Sequence, residues 1–172
     1  MAIGGQQVTI VVDVANVMGS RPDGWWRDRA GAAVRLHGEI VRLTRSGRVI
    51  LPASSTPDQP SPGSDQPGPA PDQPGPAKPG FVMVLEGTAR AAAARLTAAE
   101  PDADADGTGP VRPGEVRVVQ ARGSGDDTIV AVVRELPGRR AVVTADRELR
   151  TRCAAAGAEI LGPGWLLGLL RG

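Results

Sequence analysis

The sequence predicts an α/β domain: three layers, α/β/α, around a mostly parallel sheet of about five strands. Three observations predict it. Short unbroken runs of β-branched and aliphatic residues suit strands buried on both faces. Between them lie segments whose apolar residues recur at helical spacing. The two kinds alternate along the chain, which implies right-handed crossovers with helices on both faces of the sheet.

Val8 to Val14 (VTIVVDV) reads as the first strand, ending in Asp13-Val14-Ala15-Asn16 and a loop of Gly, Pro and Trp. A helix follows from about Arg29 to Arg45, with Ala33, Leu36, Ile40 and Leu43 on its apolar face and Gly47 as its C-cap. Phe81 to Leu85 is the second strand, followed by Glu86-Gly87 and an Ala-rich helix over Thr88 to Ala99. An acidic loop at 100–114 leads to a third strand, Glu115 to Gln120. Gly123-Ser124-Gly125-Asp126-Asp127 opens a helix with Ile129, Val130, Val133 and Leu136 in one stripe. Ala141 to Thr144 is the fourth strand; Asp146 leads into a helix reaching about Ala156. Ala158 to Leu161 is a short fifth strand, and Trp165 to Leu170 a terminal apolar helix.

Residues 1–172 form a single domain, interrupted by an insertion at about 52–80 that holds ten of the 16 prolines and no aromatic residue. Asp-Gln-Pro recurs there at 58–60, 65–67 and 72–74. Proline at this density forbids a helix, so the heptad spacing is not a coiled coil, and the segment reads as disordered with polyproline-II character. A docking site for a proline-binding partner is a weaker alternative.

The formal net charge of +1 provides no overall basic field, so any phosphate-binding surface must be local. A single cysteine, Cys153, excludes an internal disulfide and a multi-cysteine zinc site, and reads as a reduced core residue. No signal peptide is recognisable, and no apolar stretch approaches the ~20 residues that span a bilayer. A cytoplasmic protein without membrane association is expected.

In open α/β sheets, ligands bind outside the carboxyl ends of the strands. Asp13, Glu86, the Asp126-Asp127 pair and Asp146 each follow a successive strand and therefore gather at that edge. Packing alone does not require this. Converging carboxylates repel one another unless some protonate or a cation neutralises them. Oxygen donors without a Cys/His cluster favour Mg²⁺ or Mn²⁺ over zinc, and phosphodiester hydrolysis is chemistry that such a site supports. Taken singly, each residue has a purely structural role available. Asp13 can end a strand in a turn, Asn16 can make an Asx turn, Ser124 with Asp127 matches a capping box, and Thr144 or Asp146 can cap a helix.

Four motifs in order resemble the PIN-like nucleases, specifically their NYN branch: Val12-Asp13-Val14-Ala15-Asn16, Leu85-Glu86-Gly87, Gly123-Ser124-Gly125-Asp126-Asp127-Thr128-Ile129 and Val143-Thr144-Ala145-Asp146. They span almost the whole chain apart from the proline-rich insertion. The resemblance implies a Rossmann-like sheet and a metal-dependent endoribonuclease acting on single-stranded or structured RNA. Asp13, Asp127 and Asp146 would then be the principal metal-site acids, with Asp126 sharing the adjacent role. Asn16 would orient a ligand or the scissile phosphate, and Thr144 would bond a water or an acid. Glu86 stands where relatives often carry Asp, so it matches by position more than by motif. The insertion departs from the family pattern.

Trp25 and Trp26, among Arg21, Arg27 and Arg29, can stack a base and hold a backbone; alternatively one Trp packs as a lid while Asp28 makes local ion pairs. Arg90 and Arg147, close in sequence to the acids, can reach phosphate or pair with those acids. Asp102 to Gly107 mimics the start of a calcium loop, but Pro113 stands where the bidentate Glu belongs. His37, away from the strand ends, reads as structural. The glycines at 123 and 125 lack the Lys-Ser/Thr of a phosphate-binding loop. A metal-dependent nucleoside-triphosphate hydrolase and a noncatalytic RNA-binding module are the rival functions, and the chain is compatible with a homodimer.

Overall fold

The computed structural model describes residues 7–52, 78–97 and 109–172. Five strands form one sheet: β1 (Val8–Asp13), β2 (Gly80–Leu85), β3 (Val116–Gln120), β4 (Arg139–Val143) and β5 (Glu159–Leu161). Their order is β3-β2-β1-β4-β5, and every pairing is parallel. The expected α/β architecture is present, with β1 at the centre, where its unbroken VTIVVD run is buried by neighbours on both sides.

Alternation along the strands divides the core into two layers. Ile10, Val12, Phe81, Met83 and Leu85 face one side and pack with Leu36 and Ile40 of α2 (Arg29–Ser46) and Leu166 of α6 (Pro163–Arg171). Val11, Val82, Val84 and Val142 face the other side and meet Ile129, Val130 and Val133 of α4 (Gly125–Glu135) and Leu149 and Cys153 of α5 (Arg147–Ala155). Period-two alternation makes one strand serve both layers. Cys153 lies in the second layer, and burial pushes its thiol up to about 11, so it stays protonated at neutral pH.

Several boundaries differ from the sequence expectation. The stretch after Asp13 is a short helix, α1 (Val14–Gly19), rather than a loop. Val14, Val17 and Met18 supply its buried face, and the Asp13 carboxylate caps it. The expected helix over 88–99 begins as a 3-10 turn, Gly87–Ala92, and becomes α3 (Ala93–Thr97), after which residues 98 and 99 lie outside the described residues. Helix α6 starts two residues early at Pro163, where a missing N–H does no harm. Gly47 caps α2 in a left-handed conformation, as expected. The acidic loop with its calcium-loop mimic lies mostly outside the described residues, as does the proline-rich insertion.

The chain on either side of that insertion is tethered at the amino edge of the sheet. Arg139, which opens β4, donates to the Pro52 carbonyl at 2.8 Å, and Gly114 N–H donates to the Pro79 carbonyl at 3.1 Å. No described helix is long and apolar enough to cross a membrane.

The turn into β4 depends on Gly138. Its φ is +73°, and a Cβ there would stand 2.4 Å from the Gln7 carbonyl oxygen. That oxygen accepts the Arg139 N–H at 2.9 Å. Gly138→Ala should therefore destabilise the fold by at least about 1–2 kcal/mol from the left-handed backbone alone. Urea unfolding compared with wild type measures it.

Candidate functional site

A cleft of about 470 Å³ opens at the carboxyl edge of the sheet, lined by Asp13, Ala15, Asn16, Gly19, Ser20, Glu86, Asp126 and Asp146. Its geometry follows from how each strand hands over to the next element. Asp13 ends β1 and remains 8 % exposed. One carboxylate oxygen accepts the Asn16 N–H at 3.1 Å and the other accepts the Thr144 hydroxyl at 2.9 Å. Thr144, fully buried, accepts in turn from the Asp146 N–H at 3.1 Å. The Asn16 side-chain carbonyl accepts the Ala145 N–H at 3.0 Å, and Asp146 caps α5 through the Leu149 N–H at 2.8 Å. The segment after β1 is thus bonded to the segment after β4 at two points.

Glu86 reaches from the end of β2 to the start of α4, where it accepts the Gly125 N–H at 3.0 Å. A Cβ at position 125 would lie 2.2 Å from a Glu86 carboxylate oxygen, so glycine is what admits the contact. Ser124 caps the same helix by accepting the Asp127 N–H at 3.5 Å.

The paired acids separate. Asp126 lines the cleft, whereas Asp127 does not. The Asp127 side chain is 69 % exposed and accepts from Arg152 of α5 at 2.5 Å. The motif resemblance implies a principal metal-site role for Asp127; the helical phase of α4 turns it toward Arg152 of α5 instead. Of the structural roles considered, Asp146 caps α5 as expected. Ser124 caps α4 without the reciprocal bond of a capping box, because Asp127 pairs with Arg152. Asp13 ends its strand in a helix cap rather than a turn. Asp13 and Asp146 combine these roles with a place in the cleft.

The other candidates scatter. Arg21 donates to Glu39 at 2.5 Å and borders a separate, smaller cleft against Leu167 and Leu170 of α6. Arg90 donates to the Gly87 and Ala121 carbonyls, and Arg147 is exposed at the first turn of α5. Trp25 packs partly against the core while Trp26 is exposed. Asp28 caps α2 through the Gly31 N–H at 2.8 Å. Sequence reasoning did not single out Ala15, Gly19 and Ser20, which line the cleft because α1 is a helix. The apolar i, i+3, i+4 spacing of Val14, Val17 and Met18 behind Asp13 was the signal for it.

The electrostatics are those of crowded acids. Burial raises the Asp13 pKa above its usual 3.8; the Asn16 and Thr144 hydrogen bonds oppose the rise, and the charges of Asp126 and Glu86 add to it. Asp126 is also raised, by burial first and then by Asp146 and Glu86, with Arg152 partly offsetting them. All the polar lining groups are oxygen donors or a primary amide, which suits a hard cation. Among the described residues, no three Asp, Glu, His or Cys side chains stand close enough to share one ion. The donor set therefore fits a cation that keeps much of its water and is gripped by one or two carboxylates, a habit of Mg²⁺.

No family model matches the chain, and no curated protein matches it. The chain is similar to a solved structure, that of Rae1 (YacP) from Bacillus subtilis in a tryptophan-to-leucine mutant, at 12% identity. The match covers 96% of this chain and 74% of that one, with a TM-score of 0.53. At this identity the likeness is one of fold: an α/β architecture, which in this chain has an all-parallel five-stranded sheet.

Two outcomes follow from the geometry. Gly125→Ala should expel the Glu86 carboxylate from its bond to the α4 backbone and destabilise the protein by about 1.5–3 kcal/mol, the worth of a hydrogen bond to a charged group. A thermal or urea melt reads this directly. The second outcome concerns pH. In the metal-free fold, raised carboxyl pKa values mean that the folded chain binds more protons than the unfolded one. Stability is then greatest near or below pH 3.8 as far as these groups are concerned, and falls as pH rises through the raised values. Asp126→Asn should accordingly melt higher than wild type at pH 7 in EDTA, and the difference should close as pH falls toward 3.8.

Proposed function

We propose that this chain is a metal-dependent ribonuclease that hydrolyses RNA phosphodiester bonds at the acidic cleft. The observation that carries the reading is the convergence of Asp13, Glu86, Asp126 and Asp146 with Asn16 along one cleft at the carboxyl edge of the sheet. Support for RNA as the substrate comes from the four ordered motifs that resemble NYN nucleases and from the PIN-like fold.

One or two of the carboxylates of Asp13, Asp126 and Asp146 would hold Mg²⁺ or Mn²⁺, with Glu86 beside them. When bound, the cation supplies charge stabilisation to the transferring phosphoryl group and lowers the pKa of an attacking water. The chain's own residues prepare the rest. Thr144 and the Asn16 N–H fix both oxygens of Asp13, so this carboxylate enters the reaction without reorienting. The Asn16 side-chain oxygen is engaged by Ala145, which directs its NH₂ as the group available to a phosphate oxygen. Asp126 faces the cleft from the first turn of α4, and the burial and acid crowding that raise its pKa without metal are what a bound cation would relieve. Glu86 holds the first turn of α4, from which Asp126 projects.

Purified wild-type protein should cut an oligoribonucleotide with Mg²⁺ or Mn²⁺ and not in EDTA. Asp13→Asn and Asp126→Asn should each lower the rate about a hundredfold or more, as loss of one preorganised charge-stabilising group does. Asp127→Asn should be the mild variant, within about tenfold, because its side chain is bound to Arg152 outside the cleft. Equal loss at 126 and 127, or unchanged cleavage in the Asp13 variant, overturns the assignment. Phosphate or pyrophosphate release from free nucleotides, without RNA cleavage, would favour the nucleotide hydrolase. Metal-free RNA binding with no turnover would favour the noncatalytic module.

A further inference from the structure

The polypeptide leaving the cleft carries an aromatic feature that the hydrolytic chemistry does not use. Helix α1 runs from the capping carboxylate of Asp13 to Gly19, and Gly19 and Ser20 form one wall of the cleft. The atom nearest to a Cβ placed on Gly19 is Cζ2 of Trp25, at 3.8 Å, so the Trp25 ring lies directly behind that wall. Trp25 and Trp26 occupy a single 3-10 turn, Trp25–Arg27, entered through Gly24 at φ +73°. Their rings meet edge to face, with centroids 6.3 Å apart and planes at 88°.

The two rings have different surroundings. Trp25 is half-buried and packs against the core, with the Arg29 guanidinium 5.3 Å from its centroid. Trp26 is 57 % exposed and has the Arg27 guanidinium 5.9 Å from its centroid. The turn is held from both ends: Asp23 accepts the Trp25 N–H at 3.2 Å, and Asp28 caps α2 immediately afterwards. An exposed indole on a braced turn has little backbone mobility left to lose on binding, and it stands out because large aromatics are ordinarily covered.

We propose that Trp26, with Arg27 and Arg29, is a stacking subsite for an unpaired base of a single-stranded RNA whose backbone continues into the acidic cleft. This rests on the proposed nuclease reading for the identity of the polymer. The chemistry selects single strands. A base within a duplex offers its faces to its neighbours and its edge to its partner, so an indole face is reached only by a base outside a helix. Trp26 supplies the π surface, and Arg27 and Arg29 supply positive charge for the adjoining phosphates. That charge matters here because the cleft beyond is lined by carboxylates and repels phosphate until a cation is present. The turn thus provides an attractive foothold next to a surface that does not attract RNA by itself.

The test is binding without turnover. Fluorescence anisotropy of a labelled 12-nucleotide single-stranded RNA is measured in EDTA, against the same sequence as a duplex, a single-stranded DNA of that sequence and a mononucleotide. Wild type should prefer the single-stranded RNA or DNA over duplex and mononucleotide. Trp26→Ala should weaken single-strand binding by about five- to a hundredfold, the range for one lost base–aromatic stack. Trp26→Phe should retain most of it, and Arg27→Gln should flatten its salt dependence. All three variants should melt as wild type does, since the ring is exposed.

Single-strand binding unchanged in Trp26→Ala, or equal affinity for duplex and single strand in wild type, overturns the proposal even if the protein cleaves RNA. Trp26-dependent binding in a protein that cleaves nothing under any divalent ion supports the subsite while sinking the nuclease reading. A change of oligomeric state in Trp26→Ala with RNA binding intact overturns it in favour of self-association through this face.

Discussion

The hydrogen bond from the Thr144 hydroxyl to Asp13 joins the ends of β1 and β4 at the place where both leave the sheet. A hydroxyl has one proton to donate, and Thr144 commits it to Asp13 while accepting from the Asp146 N–H. The residue is fully buried, so water cannot substitute for either partner. From that single atom the start of α1, the start of α5 and the inner end of the cleft all take their positions. Asp13 is under opposed influences as a result. Burial and neighbouring acids favour its neutral form, while two donors hold it as an acceptor on both oxygens. A cation in the cleft would resolve that opposition in favour of charge.

Across the sheet the same principle recurs with different chemistry. Glu86 spans from β2 to the backbone of α4, and Asn16 spans from α1 to the backbone beyond β4. Asp13, Asn16, Glu86 and Asp146 thus each bond a neighbouring element and border the cleft at once. Structural capping and a place at the cleft are not competing explanations for these residues. A carboxylate that caps a helix is held in one rotamer, which is the condition a preorganised site requires.

Much of this was legible in the sequence. The strand runs were legible because a parallel strand buried on both faces needs no alternation, only unbroken apolar residues such as those of Val8–Asp13 and Gly80–Leu85. The gathering of Asp13, Glu86, Asp126 and Asp146 at one edge was legible because topology alone takes consecutive parallel strands to a common end. Helix α1 is only faintly legible, because its six residues carry a single i, i+3, i+4 set beside a Gly- and Pro-containing loop. The choice between Asp126 and Asp127 was out of reach for another reason. Adjacent residues on a helix point about 100° apart, and which one faces the cleft depends on where Ser124 starts the helix and on Arg152, which is 25 residues away in sequence.

The placement of the proline-rich insertion has a consequence for how this protein can vary. Its flanks are bonded near Arg139 and Gly114, at the edge of the sheet from which β4 and β3 set out. The acids stand where the strands finish. A segment hung between Pro52 and Pro79 is therefore attached at the opposite pole of the molecule from the cleft, with the length of the sheet between them. Lengthening, shortening or exchanging it places no demand on the residues that cap α1, α4 and α5. The chain thus enters and leaves residues 53–77 at the pole where the strands begin, and the carboxylate edge takes its geometry from other segments.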